Sequence, residues 1–245
     1  GLLGGYARGR RQTSAATLYL DFLAGLNDSR ITYSGGANGT RVNSAGVIVA
    51  ATTPRFDYNP VTLAARGLLV EEARTNLLQR SAEIDNAYWF KDNSTITANA
   101  LTAPDGTVAA DKLLETTANT THGISTAATV TITAGGAYTA TCYYKAAERS
   151  FVRLQFNNAA FSNGVQAEYD LSLGTVAGSR AFGTATLGTV SITAAGGGWY
   201  RCSISGIVDA GSTTAYVCSY LGASAVVFSY IGVATNGAYA WGTQF

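Results

Sequence analysis

The sequence predicts an all-β protein: an antiparallel jelly-roll β-sandwich preceded by a small N-terminal β region and an arm. Three observations carry that expectation. Short runs of alternating apolar and polar residues recur from residue 94 onward, broken by turns rich in Gly, Asn and Ser, which is the spacing of a sandwich. Helix-length apolar periodicity is missing between them, which argues against α/β folds. Charged residues make up 13% and hydrophobic residues 47% of the chain, against a charged share of ~25% in ordinary domains. That is the profile of a turn-rich β protein with small side chains, much of its surface covered by neighbours.

The elements follow in order. Residues 1–14 are rich in Gly and Arg and lack apolar periodicity. They read as an arm that orders against a partner, with Arg8, Arg10 and Arg11 meeting acidic groups. Residues 16–23 alternate as a strand, and shorter strands are expected at 31–33, around Val42 and at 47–50. Residues 78–90 are the expected place for a short helix, with Ser81 as its cap and Glu83 and Asp85 near its N-terminus. The expected organisation is an arm and β attachment region over residues 1–80 and a jelly roll over 81–245. Within the latter, strands are expected at 94–98, 109–115, 128–133, 137–146, 151–156, 165–169, 189–193, 199–208, 214–221 and 226–233. An internal echo, TVTITAGGAY ending at Tyr138 and TVSITAAGGGWY ending at Tyr200, reads as two equivalent hairpins.

The densest local information lies in PRFDYNPVTLAARGLLVEEARTNLL, from Pro54 to Leu78. Pro54 and Pro60 fix φ and push their predecessors out of the helical region, so the stretch reads as a rigid, extended corner. The pattern PRFDYxP, then GLLVEE, then RTNLL, resembles a segment of tailed-phage structural proteins. There it joins an N-terminal β region to a jelly roll similar to a carbohydrate-binding module. Ala87-Tyr88-Trp89, Ala103-Pro104-Asp105-Gly106-Thr107 and Gly198-Trp199-Tyr200-Arg201 extend the match. The resemblance implies a virion protein of the tail-fibre, spike or head-fibre kind. Its expected partners are other virion proteins and further copies of itself, a trimer being one form, and a surface glycan is its expected ligand.

Other classes find less support. Net charge is +1, so neither nucleic acid nor membrane insertion is expected. The apolar start is too short for a signal-peptide core, and the lack of Met leads us to expect a processed chain or a fragment. Cys142, Cys202 and Cys218 form no disulfide framework and have no metal-ligand spacing, so they are expected as buried free thiols. His122 is the lone histidine and is expected at the surface or a strand edge. Glu168 and Asp170, two apart on one strand, are the carboxyl pair that a glycoside hydrolase would need. Fifteen acids offer such a pair by chance, and no catalytic residue is assigned. No metal is assigned either, although a structural Ca2+ accompanies many related jelly rolls, with Asp105 and Asp111 as the oxygen ligands to consider.

Binding has better material: 14 Tyr, 9 Phe and 3 Trp. Flat aromatic rings with polar handles suit the C–H faces of sugars. Trp89, Tyr143, Tyr144, Tyr220 and Tyr230 are the candidate glycan-binding residues. Tyr143 and Tyr144 are strand neighbours, so only one faces outward. Trp199 follows three glycines, opens a strand and is expected to plug the sandwich core. The alternative to glycan binding is a purely structural decorating or joining protein of capsid or tail.

Overall fold

The computed structural model describes residues 20–25, 28, 30–33, 39–51 and 54–245, and all regular structure among them is β. The arm with Arg8, Arg10 and Arg11 lies outside the described residues, as does the first half of the strand expected at 16–23. Residues 22–25 form a turn and 31–33 form no strand.

Two hairpins come first. β1 (Thr40–Val42) pairs with β2 (Ile48–Ala50), and β3 (Phe56–Tyr58) with β4 (Ala65–Leu68). Asparagine side chains close both turns. Asn43 Oδ1 accepts from the Ala45 and Val47 amides, and Asn59 Oδ1 accepts from those of Val61 and Thr62, as Asx turns do. The buried Asp57 accepts from the Val42 amide at 2.8 Å and joins the hairpins. The GLLVEE stretch is strand only as far as Leu68.

RTNLL runs beside the end of the chain. Leu77 N donates to Phe245 O at 2.8 Å, and Phe245 N donates to Asn76 Oδ1 at 3.1 Å. The helix expected over 78–90 does not form. Single-turn bonds appear instead, from Asn86 N to Glu83 O and from Trp89 N to Asn86 O. The cause is tertiary: Asp111 takes the amides of Ile84 and Asp85, while Ile84 and Trp89 are drawn into the core.

The remaining strands are β5 (Trp89–Asp92), β6 (Ser94–Thr102), β7 (Val108–Glu115), β8 (Asn119–Thr120), β9 (Gly123–Thr126), β10 (Val130–Thr131), β11 (Ala137–Ala146), β12 (Phe151–Asn158), β13 (Gly164–Asp170), β14 (Thr175–Phe182), β15 (Thr186–Ala194), β16 (Tyr200–Ile207), β17 (Thr214–Gly222), β18 (Tyr230–Ile231) and β19 (Gly237–Gln244). One sheet has seven strands, ordered β14-β13-β12-β17-β9-β5 with β10 beside β17; the other has six, ordered β15-β16-β11-β19-β7-β6. Every pairing is antiparallel. β7 pairs with β19, β9 with β17, β11 with β16 and β12 with β13. This nesting of early strands with late ones is the jelly roll that the sequence predicts.

The core lies between the sheets, built by Leu113, Ile124, Tyr144, Leu154, Phe156, Tyr169, Ile204, Leu221 and their neighbours. Strand alternation supplies it: Val152, Leu154 and Phe156 face inward while Arg153, Gln155 and Asn157 face outward. The echo is not a pair of equivalent hairpins. β15 and β16 do form one, but β10 pairs with β17 in the opposite sheet. Trp199 is buried but not between the sheets. It sits on the outer face of the six-stranded sheet with Ala103 and Ala110, its indole donating to Thr102 O at 3.2 Å.

Candidate functional site

The outer face of the seven-stranded sheet carries the densest array of polar and aromatic side chains. Register aligns them in rows. Gln166, Gln155, Cys218, Ser125 and Phe90 follow one another across β13, β12, β17, β9 and β5, and Glu168, Arg153, Tyr220, Gly123 and Asp92 form the next row. The polar half is tied internally. Arg153 Nε donates to Glu168 Oε1 at 2.9 Å, Gln166 Nε2 to the same oxygen at 2.5 Å, and Gln155 Nε2 to Asn157 Oδ1 at 2.9 Å. Phe228 covers the Arg153 guanidinium at 4.0 Å. Burial pushes Arg153 below its ordinary pKa, and the Glu168 carboxylate opposes that shift. Burial likewise pushes the Cys218 thiol up to about 12, keeping it protonated.

The aromatic half is a cleft. It has a volume of about 280 Å³ and is lined by Phe90, Asp92, Ser125, Thr126, Ala127, Phe161, Tyr216 and Tyr220. Tyr216 and Tyr220 face outward because they share the parity of β17. Gly123 makes room for Tyr220: a Cβ there would stand 2.5 Å from the ring. Burial pushes the Tyr220 phenol well above its ordinary pKa, so it stays a neutral hydrogen-bonding group. Phe161 stacks on Tyr216 with centroids 5.0 Å apart and planes at 19°, yet both its ring and that of Phe90 remain exposed.

Phe161 has φ of 55°, a left-handed conformation that costs ~1–3 kcal/mol for a bulky residue. Its loop enforces it. Asn158 Oδ1 accepts from the amides of Ser162 and Asn163, and Asn163 Nδ2 donates to Asp209 Oδ2 at 2.9 Å. Asp209 also receives Ser212 Oγ and the amides of Gly211 and Ser212, bonds that hold its carboxyl below the usual range. The loop that presents Phe161 is therefore fixed by its own hydrogen bonds.

The five aromatic residues singled out by sequence do not converge. Tyr220 alone lines the cleft. Trp89 and Tyr144 lie in the core at 2% and 1% exposure and have no face to offer a sugar; alternation sends their neighbours Phe90 and Tyr143 outward instead. Trp89 donates to Arg80 O, and the Tyr144 hydroxyl meets Ser219 Oγ at 2.7 Å. Tyr143 packs on Trp241 on the outer face of the other sheet. Tyr230 is half-buried beneath Arg149, its hydroxyl donating to Glu115 at 2.5 Å. Phe90, Phe161 and Tyr216 escaped sequence reasoning. The spacing of Tyr216, Cys218 and Tyr220 along one strand was the signal available for Tyr216.

Groups considered for catalysis or metal binding are otherwise engaged. His122 is fully buried, not at the surface, with Nδ1 2.8 Å from Asn93 O and Nε2 3.2 Å from Tyr230 O. Asp170 accepts from Ser172 Oγ and the amides of Ser172 and Leu173 and serves a turn. Asp111 accepts from the amides of Ile84, Asp85 and Asn99, and Asp105 from Thr107. Beside Asp111 the Lys91 ammonium donates to the carbonyls of Asp85, Asn86 and Trp89 at 2.9, 2.5 and 2.8 Å, so a protein cation fills that cradle. Among the described residues no group of three His, Cys, Asp or Glu stands close enough to hold a metal. All three cysteines are buried and free, as expected.

No protein-family model and no curated protein matches the chain. Among solved structures it is similar to the enzymatically active domain of bacteriophage CBA120 tailspike protein 4. That likeness has a TM-score of 0.40 at 13% identity, covering 69% of this chain and 21% of the tailspike chain. The chain thus spans about a fifth of the length of that structure.

Proposed function

We propose that this chain is a non-enzymatic structural component of a tailed-phage particle whose jelly roll binds surface glycans through the outer face of its seven-stranded sheet. The cleft between Phe90 and the Phe161–Tyr216 stack carries the glycan reading. It offers exposed ring faces for sugar C–H groups and hydroxyl and carboxylate groups beside them. The strained backbone of Phe161 supports it, because strain of that kind collects at binding sites. The virion assignment rests on the PRFDYxP, GLLVEE and RTNLL resemblance. The non-enzymatic reading draws support from the engagement of Glu168 with Arg153 and Gln166 and of Asp170 with its own turn.

A glycan array probed with the chain and its Phe161→Asn variant tests the binding reading. Glycans retained by the parent and lost by the variant are the expected result. An array blank for the parent, or identical for both proteins, would contradict it. A purely structural role has its own observation: an apolar crevice of about 500 Å³ between β1–β2 and Trp241, suited to a protein neighbour. On that reading the chain decorates or joins virion proteins and the array stays blank.

A further inference from the structure

We infer that the cleft selects a single uncharged or amino-substituted pyranose and discriminates against acidic sugars. This rests on reading the cleft as a glycan site. Size limits the occupant first. Ligand pockets for drug-sized molecules run ~300–1,000 Å³, so about 280 Å³ suits one ring with its neighbours projecting into solvent.

Charge then sets the class. Among the described residues, Asp92 is the only charged one lining the cleft. Its carboxylate is held by Thr121 Oγ1 at 3.0 Å and Asn93 Nδ2 at 2.8 Å. A carboxylate has about four acceptor positions, so acceptor capacity remains for a sugar hydroxyl or ammonium. A carboxylated sugar instead meets a like charge. Arg153, the outward-facing cation beside Tyr220 in register, is bonded to Glu168 and capped by Phe228. Arg180 lies further off on β14, against Gln166. Among the described residues the cleft thus has an acceptor for neutral and cationic rings and no free cation for an anionic one.

Titration of the 15N-labelled chain, followed by amide NMR, tests this with methyl glucoside, N-acetylglucosamine, glucosamine, glucuronic acid and N-acetylneuraminic acid. Neutral and amino sugars should give saturable shifts around residues 90–92, 125–127, 161 and 216–220. The acidic sugars should bind at least about tenfold more weakly, and Asp92→Asn should narrow that gap to within about threefold. Should the variant fold poorly, 1 M salt on the parent replaces it, because a like-charge penalty weakens when the screening length drops to ~3 Å. Acidic sugars binding as tightly as neutral ones overturn the selectivity and leave the glycan site standing, as does a gap that neither Asp92→Asn nor salt alters. Sugars that fail to shift those resonances, or that bind Phe161→Asn equally well, overturn the site itself.

Discussion

Phe161 shows what one residue reveals that alternation cannot. It lies in a loop, where no period applies, and its meaning comes from a positive φ and a stack on a ring distant in sequence. Asparagine tolerates that backbone far better than a bulky aromatic. Phe161→Asn is therefore expected to unfold at the same denaturant concentration as the parent or slightly higher, while losing sugar binding. Measuring both quantities separates a displayed ligand group from a structural one. Trp199 was legible as buried but not as to where, because the sequence shows a large side chain after a glycine turn and not which sheet face it covers. With 4% exposure and a bond to Thr102, Trp199→Ala should cost ~3–5 kcal/mol, read from chemical denaturation. A loss under ~1 kcal/mol would mean the outer-face cluster adds little.

Among the elements, legibility followed the alternation of apolar and polar side chains. β11, β12 and β13 stood out because their core-facing residues are apolar and most of their outward ones polar. β14 was missed: it is an edge strand with mostly exposed residues, so nothing imposes alternation. β19 was missed because its small residues, Ala238 and Ala240, face inward while Tyr239 and Trp241 face outward. The helix expected at 78–90 lost to Asp111, whose bonds to that segment span some 26 residues of sequence.

The β18 segment is held by ionisation. Burial alone would raise the pKa of Glu115, but bonds from Arg149, Tyr230 and the Val233 amide outweigh it and hold the carboxyl below its ordinary 4.5. A depressed carboxyl contributes stability that is fully present above its unfolded pKa and is lost as pH falls through the folded value. Asp111, raised by burial, works in the opposite sense. Melting of the parent should therefore drop below about pH 4.5. Glu115→Gln should lower stability at pH 7 by ~1–3 kcal/mol and flatten that acid limb. An unchanged acid limb would assign the loss to other carboxylates.

For the whole molecule, the fold was legible because a jelly roll repeats one signal many times, and the errors in single strands do not accumulate. The site was not, because it draws on β5, β9, β17 and a loop, and only register brings them together. At the other end of the chain, residues 1–14 carry the proposed attachment. Deleting them should leave the sandwich folded by circular dichroism and reduce incorporation into particles; incorporation at the parent level would move attachment to the β1–β4 region. That the outer face of the seven-stranded sheet holds a sugar is tested most directly by a crystal structure of the chain with an oligosaccharide selected on the array. The expected result is a single pyranose ring laid against Phe161 and Tyr216 with a hydroxyl or ammonium donating to Asp92. A sugar seated instead on Tyr143, Tyr239 and Trp241, across the other sheet, would contradict it.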